Sequence, residues 1–137
     1  LQGGGYPFAS SICYEHVFQQ SSIDGLPQAA YLINASNDTW FGDTIAPYQH
    51  LQMARMRALE SGRYMLRSTN TGLTAIINHQ GKVVNQAPMF KRVALNGEVV
   101  PLQGVTPFVQ GGWWVVLLFA GLLPLVALLK RDRDDCR

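Results

Sequence analysis

The chain has 137 residues, enough for one modest domain with a core of its own. Its 11 lysines and arginines nearly balance 9 aspartates and glutamates, and the basic residues do not gather on one predicted face, so nucleic-acid binding is not supported. Cys13 and Cys136 are far apart in different contexts, which argues against a disulfide, and the three histidines share no ligand spacing with a cysteine pair, which excludes a zinc cluster.

The first predicted strand covers residues 8–12 and ends at Cys13, and a short amphipathic helix is predicted over 16–23. A cysteine between a strand and a helix can lie at the helix N-terminus. There, free backbone N–H groups and the helix dipole favour the thiolate, the form that attacks carbonyl carbon. The alternative is that Cys13 is a small buried hydrophobic residue, as most free cysteines are. The position alone leaves both interpretations open.

Strands and helices alternate along the middle of the chain. An almost continuous apolar run at 29–35 predicts a central strand that is covered on both faces. After a loop, a helix is predicted from Pro47 to about Ser61. Its predicted core-facing stripe comprises Leu51, Ala54, Ala58 and Leu59. Arg57 and Glu60, three residues apart, are predicted to pair on its flank.

Strands dominate after this helix. Three predicted strands cover residues 64–68, 73–78 and 83–86. A further strand is predicted at 92–100, interrupted by Asn96-Gly97, and no internal repeat or low-complexity segment is present. The order of elements predicts an α/β layered domain over residues 1–107, followed by a linker at 108–112.

An unbroken apolar run extends from Trp113 to Leu129 without a charged or strongly polar side chain. As a helix it would be about 26 Å long, at the short end of what spans a bilayer. Adjacent tryptophans at its start suit the membrane interface, and a basic tail at 130–137 follows its end. The positive-inside rule therefore predicts a transmembrane helix with a cytoplasmic tail and with the preceding domain across the membrane. A buried core helix is the alternative.

Four motifs resemble, in this order, the nitrilase superfamily of carbon–nitrogen hydrolases. They are Ile12-Cys13-Tyr14-Glu15, Asn37 to Asp43, His50 to Glu60, and Arg67 to Gly72. With the apolar run near the end, the chain is similar from about Phe8 to Leu129 to the apolipoprotein N-acyltransferases, bacterial inner-membrane enzymes of that superfamily. The resemblance implies part of a nitrilase-like α-β-β-α sandwich followed by one C-terminal transmembrane helix.

The resemblance implies that Cys13 is the catalytic nucleophile of a Glu-Lys-Cys arrangement. In the family, the general-base glutamate and the lysine both precede the nucleophile, whereas residues 1–12 contain neither Glu nor Lys. We therefore expect the chain to be the carboxyl-terminal portion of such an enzyme and to be inactive by itself. Lys82, Lys91 and Lys130 follow the nucleophile and are not assigned that role.

The resemblance also gives Glu15 a catalytic importance, and we expect this residue to orient neighbouring active-site groups. The alternative is an acid in the first helical turn that interacts favourably with the dipole. Tyr14, Trp40 and Phe41 are predicted to bind substrate, the first as a pocket wall and the other two as an acyl-chain pocket or a lid. For all three, packing or loop anchoring is the alternative.

Four further polar residues are expected to be structural. Asn37 and Asp38 are predicted to hold their loop through hydrogen bonds from side chain to backbone. His16 and His50 are expected to be hydrogen-bonded surface or core residues rather than catalysts. These assignments leave Cys13 as the centre of the predicted chemistry.

The implied activity is the transfer of a fatty acyl chain from a phospholipid to the N-terminal amine of a diacylglyceryl-cysteine apolipoprotein, through a thioester on Cys13. This chemistry implies no metal and no cofactor; the implied partners are the phospholipid, the apolipoprotein and the membrane. The full-length protein is expected to be a multi-pass protein of the bacterial inner membrane with a periplasmic catalytic domain. Two alternatives remain open: a membrane-tethered amidase of the same fold, and a non-catalytic membrane-anchored module.

Overall fold

The computed structural model describes the backbone of residues 1–135 and the side chains of residues 1–112, 114 and 116–124. The described chain divides after Thr106 into two compact units. Within the described residues, the first unit forms a mixed sheet of six strands whose order in the sheet is their order in the chain. The strands are β1 (Gln2–Gly3), β2 (Tyr6–Ile12), β3 (Tyr31–Ser36), β4 (Met65–Thr69), β5 (Ala75–Ile77) and β6 (Val83–Gln86).

The three central strands are parallel and the outer ones are antiparallel. β2 pairs with β3 and β3 with β4 in parallel, whereas β1, β5 and β6 each run antiparallel to the strand before or after them in the sheet. Parallel pairing requires a crossover connection between strands. Helix α1 (Gln19–Ile23) lies in the first connection and helix α2 (Ala46–Ser61) in the second, and each is preceded by a short 3₁₀ helix, at Cys13–Val17 and Thr39–Phe41.

Helix α2 has clear sequence signals at both ends. Pro47 lies in its first turn, where a missing N–H costs no hydrogen bond. Gly62 ends it in the left-handed conformation, with φ 64°, and its N–H bonds to the carbonyls of Ala58 and Leu59. The predicted helix over 47–61 is therefore confirmed.

The apolar core lies between α2 and one face of the sheet. From α2 it takes Leu51, Ala54 and Ala58, and from the strands and the β4–β5 turn it takes Leu32, Met65, Leu73, Ala75 and Ile77. Each large side chain buried in this way stabilises the fold by about 1.5–3 kcal/mol. Leu59, which was expected in the same stripe, is 49% exposed, so that part of the prediction is wrong.

The predicted strands at 8–12, 29–35, 64–68, 73–78 and 83–86 are all found, with ends shifted by a few residues. The predicted strand at 92–100 is wrong, because this segment has irregular backbone and joins no ladder. It crosses the sheet face away from α2, where Gly97 lies against Ile76, instead of extending the sheet beyond β6. The predicted helix over 16–23 is divided, and its 3₁₀ part already begins at Cys13.

The α/β class is therefore confirmed, with helices packed on a mixed sheet. The α-β-β-α sandwich implied by the resemblance needs a second sheet, and the residues described by the structure form a single one. The carboxyl ends of β2, β3 and β4 lie at the same edge of this sheet, because the three strands are parallel.

The second unit is built on helix α3 (Pro107–Asp135), which is broken at Gly111, where φ is −172° and ψ is 22°. Its exposed apolar side chains include Trp114, Val116, Leu117, Leu118, Phe119, Leu122 and Leu123. No helix in the described part of the chain meets the length and apolarity needed to cross a membrane. The predicted span at 113–129 is thus not confirmed, and its side chains at 113, 115 and 125–129 lie outside the described residues, as does the end of the predicted tail at 136–137.

Candidate active site

A cleft of about 470 Å³ opens at the carboxyl ends of the three parallel strands. Ligand sites of open α/β sheets lie at this edge, where several loops converge. The cleft is lined by Ile12, Cys13, Ala35, Ser36, Asn37, Ser68, Thr69 and Asn70. Three of the four sequence motifs therefore meet here. The lining residues include no Glu and no Lys, so the base and the lysine implied by the resemblance are not among them.

Cys13 occupies the turn from β2 into the 3₁₀ helix. Its φ is 51°, in the left-handed region that non-glycine residues adopt at a cost of about 1–2 kcal/mol. Its thiol is free, and the residue is partly exposed at the cleft. Strained backbone of this kind clusters at active sites, where the surrounding structure holds it in place. The alternative in which Cys13 is a buried hydrophobic residue disagrees with this exposure.

Three hydrogen bonds hold the turn on either side of the thiol. The carbonyl oxygen of Cys13 lies 2.7 Å from Nδ1 of His16 and accepts a longer bond of 3.4 Å from Nδ2 of Asn34. The exposed Glu15 carboxylate accepts the backbone N–H of Ile12 at 2.7 Å. Glu15 therefore binds the backbone just before the cysteine, which agrees with an acid in the first helical turn; its expected role in orienting active-site groups stays a prediction.

Behind the turn lies a cluster of buried polar residues, His16, Asn34, Asp38, His50 and Arg67, which we call the polar cluster. Nη1 of Arg67 donates to Oδ1 of Asn34 at 2.6 Å, and Nη2 donates to Oδ2 of Asp38 at 2.9 Å. The side chains of this Arg–Asp pair have no exposed surface. Buried charges are tolerated only when they are paired and hydrogen-bonded, so the two residues depend on each other.

Burial also decides the charge state of His16. Desolvation is the main cause that lowers the pKa of this histidine, and the charge of Arg67 lowers it further, so the ring is neutral at pH 7. Both ring nitrogens face a carbonyl oxygen, Nδ1 that of Cys13 at 2.7 Å and Nε2 that of His50 at 3.3 Å. The shorter contact, together with Nη1 of Arg67 at 3.4 Å from Nε2, favours the tautomer that carries the proton on Nδ1. Burial lowers the pKa of Arg67 as well, and the interaction with Asp38 opposes that effect.

Two aromatic side chains surround the second histidine. The ring of His50 lies 4.9 Å from that of Phe41 and 5.5 Å from that of Tyr14, and its Nδ1 is 3.4 Å from Oδ1 of Asp38. Trp40, in contrast, is 82% exposed. Tyr14, Trp40 and Phe41 are not among the residues that line the cleft, and their substrate-binding role stays a prediction.

The loop after β3 is fixed by Asn70, which sequence reasoning left without a role. Its amide donates to Oδ1 of Asn37 at 2.7 Å and to Oγ1 of Thr39 at 2.5 Å, while its Oδ1 accepts the N–H of Asp38. Asn37 also accepts the N–H of Thr39, so its predicted side-chain-to-backbone bond is confirmed. The Asp38 side chain does something else: it bonds to Ser36 and Arg67 rather than to loop backbone.

Besides Asn70, three polar residues of the site were missed from the sequence: Asn34, Asp38 as an ion-pair partner, and Arg67. A signal was present, because Asn34 and Ser36 interrupt an apolar strand at alternate positions, which places both on one face. His16 and His50 were expected to be structural and are buried, and His16 is hydrogen-bonded as expected. No set of three or more His, Cys, Asp and Glu side chains suited to a metal ion occurs in the described part of the chain.

Several curated relatives of this chain share one name. It is 54% identical over 132 residues to the apolipoprotein N-acyltransferase of Methylococcus capsulatus, 50% identical over 132 residues to that of Pseudomonas aeruginosa and 50% identical over 129 residues to that of Nitrosomonas europaea. The matches cover 94–96% of this chain but 26% of each relative. The chain thus spans about a quarter of the length of the curated relatives it matches.

Solved structures share the fold at low sequence identity. A cysteine-to-alanine mutant of the Nesterenkonia AN1 amidase, from the nitrilase superfamily, matches with a TM-score of 0.54 at 16% identity, over 80% of this chain and 42% of that one. A glutamate-to-glutamine mutant of the amidase from Nesterenkonia sp. AN1, with acrylamide added at the active-site cysteine, matches with a TM-score of 0.55 at 16% identity, over 85% and 46%. These likenesses establish a nitrilase-like α/β fold.

The family model described as carbon-nitrogen hydrolase matches residues 1–99, which include the whole sheet and the cleft. The resemblance inferred from four short motifs is thereby confirmed. By this match and by its sheet, the chain belongs to the carbon-nitrogen hydrolase family.

Proposed function

We propose that Cys13 is the nucleophile of an N-acyltransferase that moves a fatty acyl chain from a phospholipid to the N-terminal amine of a diacylglyceryl-cysteine apolipoprotein. The observation that carries this proposal is the free, partly exposed thiol held at φ 51° at the carboxyl edge of the sheet. The name of the relatives supports N-acyl transfer to an apolipoprotein, and the phospholipid donor is what the family resemblance implies. The activity belongs to the whole protein.

In the first step, the Cys13 thiolate attacks the carbonyl carbon of a phospholipid ester. The tetrahedral intermediate expels the glycerol oxygen, which takes up a proton and leaves as lysophospholipid, and the acyl chain remains on sulfur as a thioester. The backbone N–H of Tyr14 is a donor for the developing oxyanion, together with the lysine that the family resemblance implies. Sulfur suits this step because a thiolate is strongly nucleophilic.

In the second step, the amine of the lipoprotein attacks the thioester. An amide bond forms, the C–S bond breaks and the amine loses a proton, so the Cys13 thiol is regenerated. A general base must move these protons, and residues 1–12 contain no carboxylate for that task. We therefore propose that the 137 residues by themselves do not complete the cycle.

Exposed apolar side chains close to Cys13 in the chain support a lipid substrate. Ile12, Tyr14 and Phe18 are all exposed, and Ile12 is next to Cys13 in the cleft lining. Trp40, on the loop after β3, is exposed as well. The exposed apolar residues of α3 support attachment of the whole protein to a membrane. That this is the bacterial inner membrane, with the carbon-nitrogen hydrolase domain in the periplasm, is what the family resemblance implies. This location is part of the proposal.

The test is to trap the acyl-enzyme. The protein expressed from the complete gene is incubated with a phospholipid whose acyl chain carries an alkyne tag, without any acceptor. We expect a hydroxylamine-sensitive label on the peptide that contains Cys13, found by mass spectrometry, and transfer of the label to an apolipoprotein peptide when one is added.

Cys13→Ser is the matched variant, because it changes one atom of the side chain. We expect it to carry no hydroxylamine-sensitive label and to lose transfer. If Cys13→Ser still acylates apolipoprotein, the thioester proposal is wrong and a non-catalytic role for Cys13 follows. If the wild-type protein releases the label only as free fatty acid even when acceptor is present, the protein is a hydrolase of the amidase type.

A further inference from the structure

We infer that Arg67 is a positioning residue for the nucleophile: it orients the two side chains that hold the Cys13 carbonyl, and through them it fixes the direction of the thiol. The inference rests on the proposed function, because it takes Cys13 to be the nucleophile. Arg67 lies on β4, 54 positions after Cys13 in the chain, yet the parallel register of the strands brings it behind the turn.

The first link of this arrangement is between Cys13 and its two donors. His16 and Asn34 both contact the carbonyl oxygen of Cys13, at 2.7 Å and 3.4 Å. That carbonyl belongs to the residue with φ 51°, so its direction and the direction of the side chain are set together. Because a left-handed conformation is unfavourable for cysteine, the turn keeps it only while these contacts hold.

The second link is between those donors and Arg67. Nη1 of Arg67 donates to Oδ1 of Asn34 at 2.6 Å, which turns Nδ2 of that amide toward β2. There Nδ2 lies within 3.1–3.4 Å of Oγ and the carbonyl oxygen of Ser11 and of the Cys13 carbonyl oxygen. The same Nη1 lies 3.4 Å from Nε2 of His16, an atom that also faces the carbonyl oxygen of His50 at 3.3 Å. A guanidinium nitrogen can only donate, so it opposes a proton on Nε2 and favours one on Nδ1, the atom next to the Cys13 carbonyl. One nitrogen of the guanidinium thus contacts both donors, so a shift of the guanidinium moves both.

The third link fixes Arg67 itself. Its other terminal nitrogen binds the carboxylate of Asp38, whose second oxygen accepts the hydroxyl of Ser36 at 2.8 Å. The planar fork of arginine allows these simultaneous bonds, and a lysine, which carries its charge on a single nitrogen, cannot reproduce them. Arg67→Lys therefore keeps the buried charge pair and removes the geometry, which separates the positioning role from a role in stability.

The experiment measures alkylation of Cys13 by iodoacetamide in the protein expressed from the complete gene, with the modified peptide quantified by mass spectrometry. For Arg67→Lys we expect the rate constant at Cys13 to fall at least about tenfold, because small displacements of a reacting group have effects of this size. The kcat of acyl transfer is expected to fall by a similar factor with KM unchanged. Arg57→Lys is the matched control, since Arg57 forms an ion pair with Glu60 on α2, and we expect no change from it.

The pH dependence separates geometry from charge. An effect that Arg67 exerted only through its charge would act on the fraction of thiolate, so it would weaken as the pH rises above about 8.5, the ordinary pKa of a thiol. We expect the fall in the Arg67→Lys rate to persist at both pH 7 and about pH 10. A wild-type rate in Arg67→Lys, or a loss confined to pH 7, would overturn the inference.

Two outcomes require a further comparison. If Arg67→Lys does not fold, the double variant Arg67→Met with Asp38→Asn leaves no buried charge unpaired. A structural role then predicts the wild-type alkylation rate, and a positioning role predicts the tenfold loss. If the wild-type protein transfers no acyl chain but alkylation still depends on Arg67, the proposed function is wrong and the positioning of the Cys13 thiol stands.

Discussion

Two neighbouring cross-strand rows on the α2-facing side of the sheet have opposite chemistry. One row, which we call the apolar row, consists of Ala9, Leu32, Met65 and Ile77. The next row, two residues nearer to the carboxyl ends of the parallel strands, is the polar row of Ser11, Asn34, Arg67 and Ala75. Apart from Ala9, which is partly buried, all residues of both rows are buried, so exposure to solvent does not explain the difference.

The two rows differ in the contacts that they make. The apolar row packs against α2, and its contacts are non-directional, so residues of similar volume replace one another at small cost. The polar row ends behind Cys13, and its hydrogen bonds depend on direction and on every partner being present. The desolvation cost of burying Arg67 and Asp38 therefore falls in the part of the sheet that would orient the side chain of Cys13.

The largest expected effect on stability comes from removing the negative charge of Asp38, which balances the positive charge of Arg67 in the polar row. Asp38→Asn keeps the shape of the side chain but leaves the guanidinium of Arg67 buried without a counter-charge. We expect a loss of about 3–5 kcal/mol in the free energy of unfolding. Urea denaturation of the wild-type and variant proteins measures it.

Glu60→Gln on α2 is the matched control, because Glu60 belongs to an ion pair that is only partly buried. As in the Asp38–Arg67 pair, the partner is an arginine: Nη2 of Arg57 lies 3.0 Å from Oε1 of Glu60. In this pair, however, both side chains retain some exposure. Burial raises the pKa of Glu60 despite the neighbouring arginine, so the charge is not strongly favoured there, and we expect a change within about 1 kcal/mol. Equal losses from the two variants would contradict the contrast between a fully buried pair and a partly exposed one.

Much of the fold could be predicted because its elements follow local rules. Apolar runs of strand length gave β2 and β3, and helical spacing with Pro47 and Gly62 gave α2. The segment at 92–100 was predicted wrongly, since its composition suits a strand but it lies across the sheet face without a ladder partner. Local composition does not say which edge or face a segment will meet.

The candidate site was likewise predicted only in part. The position of Cys13 between strand and helix was evident from the sequence, and the resemblance added Glu15. The contacts of His16, Asn34 and Arg67 were not foreseen, because they join residues that are distant in the chain and depend on the register of three strands. The positive φ of Cys13 was equally hidden, since no local rule assigns it to cysteine.

A smaller effect is expected when the polar row is disturbed through its neighbour Gly72. A Cβ at this position would collide with the Asp38 carboxylate, so Gly72→Ala must displace it. We expect a loss of about 1–3 kcal/mol in the free energy of unfolding from this overpacking. Since Asp38 holds Arg67, we also expect slower alkylation of Cys13.

Ile77→Val in the apolar row gives the comparison. Ile77 is fully buried, and deleting one methyl group costs about 0.5–1.5 kcal/mol. Its expected loss of stability overlaps the lower part of the range expected for Gly72→Ala, while alkylation of Cys13 is expected to remain at the wild-type rate. If both variants slow alkylation equally, reactivity follows global stability and the two rows do not differ in function.

The smallest effect is a pH dependence that comes from His16. Burial lowers the pKa of this histidine from its ordinary value of 6.5, so the unfolded chain binds a proton near that pH and the native state does not. Stability is therefore full above 6.5 and is lost as the pH falls from 6.5 toward the lowered pKa, by about 1.4 kcal/mol for each unit of lowering. The charged and titratable groups that face His16 are Arg67 and His50, and neither supplies a carboxylate that would stabilise the imidazolium.

The measurement is the Tm between pH 5.5 and 7.5, which we expect to fall on the acid side in the wild-type protein. His16→Asn keeps a donor near the Nδ1 position and cannot titrate, so its Tm should change less over the same range. Glu60 contributes with the opposite sign, since its pKa is raised from 4.5 and its stabilising contribution is lost as the pH rises above that value. We therefore expect Glu60→Gln either to leave the acid-side fall in Tm unchanged or to make it steeper. If the Tm of His16→Asn falls as steeply as that of the wild-type protein, the pH dependence comes from another group.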